Sequence, residues 1–345
     1  ESSPIPSQME HAQYAFGVRD YIRYENLLDS IRWDINDFVD WVASDNPRTK
    51  YRNLITQSGG DTSDYPENAL ETVFYPTNKI RLPVNKENVI KSGLVKEKDS
   101  DLILDYIDID LPESIITKNQ IMMLDILANN NWERPIYFTG GSYEESEYIW
   151  MKDYLQLDGL VYKLVPIKTS IENNPYEMGR IDSDLMYDIV KKWSWGNSES
   201  DEIYHDPETR KNSISFRGNL SRLSEKLISE GEYEKAEEIL DLAFSKMPID
   251  YYGYYSLWTP LVKSYYDIGK SEKVREIVQK LSFKYSDRLS YFSSLEIFNQ
   301  YDVGEEIISD IERFRNLIET IQESGEKEIL ACLLYTSDAA DEVLG

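Results

Sequence analysis

The chain has 345 residues, 41% of them hydrophobic, and its 63 acidic against 37 basic side chains give a formal net charge of −26. This length suggests about two domains, and the apolar content supports real cores. So acidic a surface repels phosphate backbones and anionic lipid, which excludes nucleic acid as a partner, and no run approaches 18 consecutive apolar residues, so no segment reads as a bilayer span.

Residues from Glu1 to about Gln8 are rich in Pro and Ser and read as a linker. The opening lacks Met and any signal pattern, as expected of a piece cut from a longer protein. Ile35, Phe38, Val39 and Val42 predict a short amphipathic helix over Ile35–Ala43, capped by Asp34. Gln57 to Glu71, with Gly59-Gly60, has loop composition. Lys79 to Val84 is strand-like. Leu102 to Asp110 alternates more clearly, with Ile103, Ile107 and Ile109 sharing one face. A helix over Thr117 to Asn129 is expected to bury Ile121, Leu124, Ile126 and Leu127, with Thr117 as its cap and the Asn129-Asn130-Asn131 run ending it. A buried strand Pro135–Thr139, a turn at Gly140-Gly141 and a strand from Leu160 to Val165 follow. A helix leading into an apolar strand, twice over, suggests an α/β layer.

Asp184 to Trp195 reads as helix and Gly196 to Arg210 as a polar loop holding His205. Beyond it, Leu220, Leu223 and Leu227 make one apolar stripe, Gly231 and Tyr233 mark a turn, and Ala236, Leu240 and Ala243 make a second stripe before Pro248. This is the spacing of a tetratricopeptide helical hairpin. It returns with Trp258, Leu261, Tyr265, Gly269, Val274 and Val278, at slightly more than the ideal period of about 34 residues. A final helix from Glu305 to Glu323 has Ile308, Ile311, Phe314, Ile318 and Ile321 on one apolar stripe. The expected organisation is an α/β domain over 1–196, a linker at 197–212 and all-α tetratricopeptide-like hairpins over 213–330. The tail Ala331–Gly345 breaks the helical composition, resembles translated adapter read-through, and is set aside as non-native. With it goes Cys332, the sole cysteine, and with that any disulfide or thiolate site.

Chemistry is sparse. His11 and His205 are the only histidines and lie far apart, so neither a zinc site nor a Ser-His-Asp triad is expected. Phosphate-loop, nucleophile-elbow and H-E-x-x-H patterns are missing. The pairs Asp99/Asp101, Asp108/Asp110 and Asp182/Asp184 invite a hard cation, but no calcium-loop spacing surrounds them. Solvated faces or helix caps are the favoured reading. No catalytic residue, metal or cofactor is therefore assigned. Tyr251, Tyr252, Tyr254, Tyr255 and Trp258 form an aromatic cluster that either stacks on sugar or extended peptide, or packs between repeats, the favoured reading. Trp132 and Arg134 pose the same question at the mouth of the 135–139 strand. The binding candidates are Trp132, Arg134, Tyr251, Tyr252, Tyr255 and Trp258.

Several runs recur together in one order: Tyr14, Gly17, Arg19, Asp20 and Tyr21; Ile80-Arg81-Leu82-Pro83-Val84; and Leu124 through Phe138, with its Asn131-Trp132-Glu133-Arg134-Pro135 block. Asp158-Gly159-Leu160, Val165-Pro166 and Met186-Tyr187-Asp188 complete the series. From about Pro4 to Ser324 the chain resembles the C-terminal soluble part of a Bacteroidetes-type multi-pass membrane family with a domain of unknown function, described as protein O-mannosyltransferase-like. The resemblance implies an upstream membrane domain of the GT-C glycosyltransferase type carrying the catalytic carboxylate, and a periplasmic location for this part. It also implies that the α/β layer is an incomplete Rossmann-like one. The expected partners are the membrane domain of the same parent chain and a protein or peptide bound by the helical repeats. The alternatives are a cell-envelope scaffold with no transferase activity and a free-standing glycoside hydrolase using two carboxylates.

Overall fold

The computed structural model describes residues 21–28, 31–139, 147–169, 178–253, 255–296, 303–327 and 329–330. The expected linker at 1–8, His11, the Gly140-Gly141 turn, Tyr254 and the 331–345 tail lie outside them. The chain divides into two units, one of Glu1–Leu157 with Val161–Arg180 and one of Asp158–Leu160 with Ile181–Gly345. The sequence placed the boundary at 197–212; the units divide between Arg180 and Ile181.

The first unit runs β1 (Tyr21–Tyr24), β2 (Trp33–Asp34), α1 (Ile35–Ala43), α2 (Tyr51–Gln57), α3 (Glu67–Leu70), β3 (Phe74–Tyr75), β4 (Lys79–Pro83) and α4 (Lys86–Lys91). It continues with β5 (Tyr106–Asp110), β6 (Ile115–Thr117), α5 (Lys118–Asn130), β7 (Tyr137–Phe138), β8 (Leu155–Asp158) and β9 (Val161–Leu164). Asp34 caps α1 by accepting the Asn36 N–H at 2.8 Å, and Ile35, Phe38 and Val42 turn inward from it. At the head of α5 the Thr117 N–H donates to Gln120 Oε1 at 2.9 Å, and Asn131 ends the helix in the left-handed conformation.

The strands make three three-stranded sheets, ordered β3-β1-β6, β2-β4-β5 and β7-β9-β8. In the first, β1 is parallel to β3 and antiparallel to β6. In the second, β4 is parallel to β2 and antiparallel to β5, which sets Ile80 opposite Ile109 and Leu82 opposite Ile107. This N-terminal half therefore mixes helices with small mixed sheets, in place of the single layer that the sequence suggested. Strands of two to five residues are too short to build a broad parallel layer. Helices α1 and α5 pack together, and Phe38, Ile80, Ile107, Ile109 and Leu124 are fully buried in the core.

Two positions expected to be buried, Ile126 and Tyr137, are exposed. Ile126 is 40% exposed, because it lies about 200° around the helix from Leu124. The strand expected over 135–139 is only Tyr137–Phe138, and Tyr137 is 47% exposed, because among the described residues β7 is an edge strand beside β9.

The second unit is helical: α6 (Ser183–Val190), α7 (Pro207–Ser229), α8 (Tyr233–Lys246), α9 (Ile249–Tyr252), α10 (Thr259–Asp267), α11 (Ser271–Ser293) and α12 (Gly304–Glu323). Asp206 caps α7 at the Glu208 and Thr209 amides, with Pro207 in the first turn. Between α7 and α8, Gly231 adopts φ +80°, and the Glu232 N–H closes on Leu227 O at 2.9 Å. Leu220, Leu223, Leu227, Ala236, Leu240 and Ala243 are all fully buried, and α7 packs against α8 and α10. Helix α10 in turn packs against α11, and α11 against α12.

The buried row of α12 differs from the expected one. It runs through Asp310, Phe314, Leu317 and Ile321, while Ile308 is 60% and Ile311 40% exposed. Within this row the buried Asp310 accepts from Arg288 Nε on α11 at 2.5 Å and from Arg313 Nη1 on its own helix at 3.1 Å.

Leu227→Ala should destabilise the full chain by about 2–5 kcal/mol in urea denaturation. A Cβ on Gly231 meets nothing within 4 Å, so Gly231→Ala should cost only the left-handed backbone penalty, about 1–2 kcal/mol.

Candidate functional site

In the first unit, the residues marked by the sequence take up structural contacts. Trp132, at φ +59°, is 4% exposed, and its Nε1 donates to Pro83 O at 2.7 Å. With Leu82, Leu127 and Ile136 it lines a void of about 10 Å³, room for one water at most. Arg134 is exposed, and its carbonyl accepts from Asn130 Nδ2 at 2.8 Å. The ring is thus enclosed, and Arg134, an exposed residue, lines the same void.

Four of these six aspartates are engaged by arginines or a helix end. Asp108 accepts Arg81 through Nε at 2.8 Å and Nη2 at 3.2 Å. Arg32 Nη1 reaches Asp110 at 2.9 Å. Asp99 accepts Arg180 Nη2 at 2.7 Å, and Asp182 caps α6 at the Leu185 amide. Among the described residues, no group of three or more His, Cys, Asp or Glu is placed to hold a metal ion.

The second unit gathers the aromatic candidates around one buried cation. Arg217 on α7 is fully buried. Its Nη1 donates to Gly253 O at 2.9 Å, its Nη2 to Ser213 Oγ at 2.8 Å, and its guanidinium carbon lies 4.7 Å from the Trp258 ring centroid. Trp258, also fully buried, stacks on Phe244 at 4.6 Å. Tyr252 is buried and donates to Ser198 O at 2.9 Å. Tyr251 stacks on His205 at 5.5 Å, and His205 Nε2 lies 2.8 Å from Ser200 O, which ties down the loop before α7. Tyr255 meets Tyr285 edge-on at 5.7 Å. The structure thus brings Tyr252 and Trp258 into one buried assembly through Arg217, with Tyr251 and Tyr255 half-buried at its margins.

Two open clefts flank this assembly. One, of about 240 Å³, is lined by Trp195, Phe216, Met247 and Tyr252 with Ser and Asn side chains. The other, of about 290 Å³, has an apolar floor including Phe244, Ile249 and Ile277 under Lys273, Lys280, Asp250 and Glu276. Beside the second, Lys273 Nζ donates to Asp241 at 2.6 Å and Glu237 at 2.9 Å. The Tyr265 hydroxyl shares Asp241 at 2.6 Å. Hydrogen bonds from Lys270 and then Lys273 hold the Glu237 carboxyl below its usual range.

Sequence reasoning missed Arg217 and the Trp193, Trp195 and Phe216 cluster, whose rings lie 5.2–5.6 Å apart. For the cluster a signal existed in the Trp193-Ser194-Trp195 run. Arg217 carries none, because one charge on a long helix reads as a solvated face.

Burial pushes the hydroxyls of Tyr75, Tyr265 and Tyr285 well above the usual tyrosine range. A folded value above the unfolded one contributes stability that is complete below pH 10 and is lost as pH rises beyond it. The melting temperature should therefore fall above about pH 10, and phenolate absorbance from these three should appear only together with loss of helical circular dichroism.

Among the described residues no helix is long and apolar enough to cross a membrane. No curated protein and no solved structure matches the chain. The family model of TMEM260-associated domain 2, a domain of unknown function, matches residues 1–185, a span that ends within five residues of the division at Arg180. Since that match covers more than half of the sequence, the chain belongs to the TMEM260-associated domain 2 family.

Proposed function

We propose that this chain is a non-catalytic, extracytoplasmic part of a membrane-anchored glycosyltransferase-like protein, and that its helical half binds the acceptor polypeptide or a protein partner. The reading rests on the two open clefts in the helical half, each combining aromatic or apolar floor with polar rim. Such surfaces accept extended polypeptide, with side chains in pockets and backbone along the rim. The candidate carboxylates favour a binding role as well, since Asp99, Asp108 and Asp110 are held by arginines.

The family description associates the domain with TMEM260, in keeping with a role as an appendage. The glycosyltransferase character comes from the resemblance of the 124–138 run and its companions to the O-mannosyltransferase-like family. The helical pairs around Gly231 and Gly269 would be tetratricopeptide-like repeats, on their stripe spacing. The small sheets of the first unit would belong to an α/β layer completed upstream.

The test uses the full-length parent in detergent, with a polyprenyl-phosphate sugar donor and a polypeptide acceptor. Deleting 181–330 should lower sugar transfer by about tenfold or more, with donor binding unchanged. Undiminished transfer after the deletion, or transfer by residues 1–345 alone, would overturn the proposal.

A further inference from the structure

The cleft at Trp195 and Phe216 differs in charge from the rest of the chain. Every side chain lining it is neutral, although 29% of all residues are charged. Its floor is apolar, with Met247 buried and the Trp195 and Phe216 rings 5.6 Å apart. At its rim Ser194 and Asn212 are exposed, and neither side chain hydrogen-bonds to another described residue. A volume of about 240 Å³ takes one large apolar or aromatic side chain with the peptide unit beside it. A carboxamide such as that of Asn212 offers a donor and an acceptor together, which matches the C=O and N–H of a peptide unit.

The segment bordering the cleft carries a second signal. Ser198 and Thr209 both contribute to the lining, and between them lie Glu199, Asp201, Glu202, Asp206 and Glu208 with no Lys or Arg. Glu199 pairs with Lys246 at 2.6 Å and Asp206 caps α7. Asp201, Glu202 and Glu208 are exposed, and Tyr204 beside them is 82% exposed. A neutral sugar would use the aromatic faces and the amide but gain nothing from this acidic border. A polypeptide with basic flanks uses all three, because complementary charge steers encounter and fixes register.

We infer that this cleft anchors one apolar or aromatic side chain of a partner polypeptide whose flanking residues are basic. The assignment rests on the proposal that the helical half binds polypeptide, and it supplies the pocket and the sequence character of the partner. The anchor side chain gives most of the affinity, as buried aromatic anchors do, and the acidic border selects among partners.

The test is fluorescence anisotropy of the full chain with the labelled peptide Lys-Lys-Ser-Phe-Ser-Lys-Lys. Control peptides replace Phe by Ser, or every Lys by Glu. Asn212→Trp fills the mouth of the cleft from an exposed position, and Ser194→Trp does so from the other rim. Saturable binding is expected, weakened about tenfold or more by either filling variant or by loss of Phe. Reversing Asp201 and Glu202 to Lys should weaken it about threefold, and the Glu-flanked peptide should not bind. Equal binding of the Phe and Ser peptides overturns the assignment. So does undiminished binding by a filled variant with native circular dichroism, or capture of maltotriose in place of the peptide. If peptide binding fails while the parent still requires 181–330 for transfer, this pocket assignment alone falls. If the peptide binds as described but 181–330 is dispensable in the parent, only the broader proposal falls.

Discussion

The helical half is organised around one buried cation. Arg217 has no exposure to water, and removing a guanidinium from solvent carries a penalty of several kcal/mol unless its protons find acceptors. Here Nη1 finds the carbonyl of Gly253 and Nη2 the hydroxyl of Ser213, while the buried Nε makes no hydrogen bond among the described residues and the flat face of the group is met by Trp258. Hydrogen bonds to a charged group contribute about 1.5–3 kcal/mol each, so the pairing offsets part of the cost and holds Gly253, at the end of the run that begins at Met247, in place. Both clefts depend on that segment. Met247 and Tyr252 wall one, Pro248 and Ile249 the other. The surfaces available to a partner are thus set by a group that no partner can touch.

The first unit uses its acids differently from what an excess of 63 over 37 suggests. Asp108 sits directly opposite Arg81 across the β4/β5 pair. Arg81 is bound by two hydrogen bonds on one side and lies 3.6 Å from the Tyr106 ring on the other. Arg32 adds contacts to Asp108 and Asp110 from a separate segment. These exposed or half-exposed pairs are each worth little in isolation, but together they set the register of a short strand whose buried residues are only Ile107 and Ile109. The Asp-x-Asp spacing is therefore the period of a strand face, with both carboxylates on the side away from the core.

Local signals in the sequence were reliable where one residue type had one physical use. Asp34 before an apolar stripe gave α1 from Ile35 to Ala43, Asn131 stopped α5, and Gly231 and Gly269 marked turns that need positive φ. Legibility ended where a residue's role depended on distant partners. Trp132 looked available because it stands at the mouth of the expected 135–139 strand, yet Pro83, far away in sequence, accepts its indole proton. Ile308 and Ile311 fitted an apolar stripe, but the buried row includes Asp310, paired with Arg288 on another helix, together with Phe314, Leu317 and Ile321. The stripe count favoured isoleucine, whereas the structure favoured satisfying a carboxylate. The division of strands among three sheets was invisible for the same reason, since pairing partners such as β1 and β6 are separated by most of the first unit.

Gly253 has backbone angles φ 63° and ψ −151°, a region that is essentially closed to any residue with a side chain. Its carbonyl is the one that receives Arg217. Stereochemistry at a single α-carbon therefore governs whether an interior positive charge can be neutralised by a dipole. Introducing chirality there would rotate that dipole away, so an exchangeable-looking loop residue is tied to an arginine on another helix.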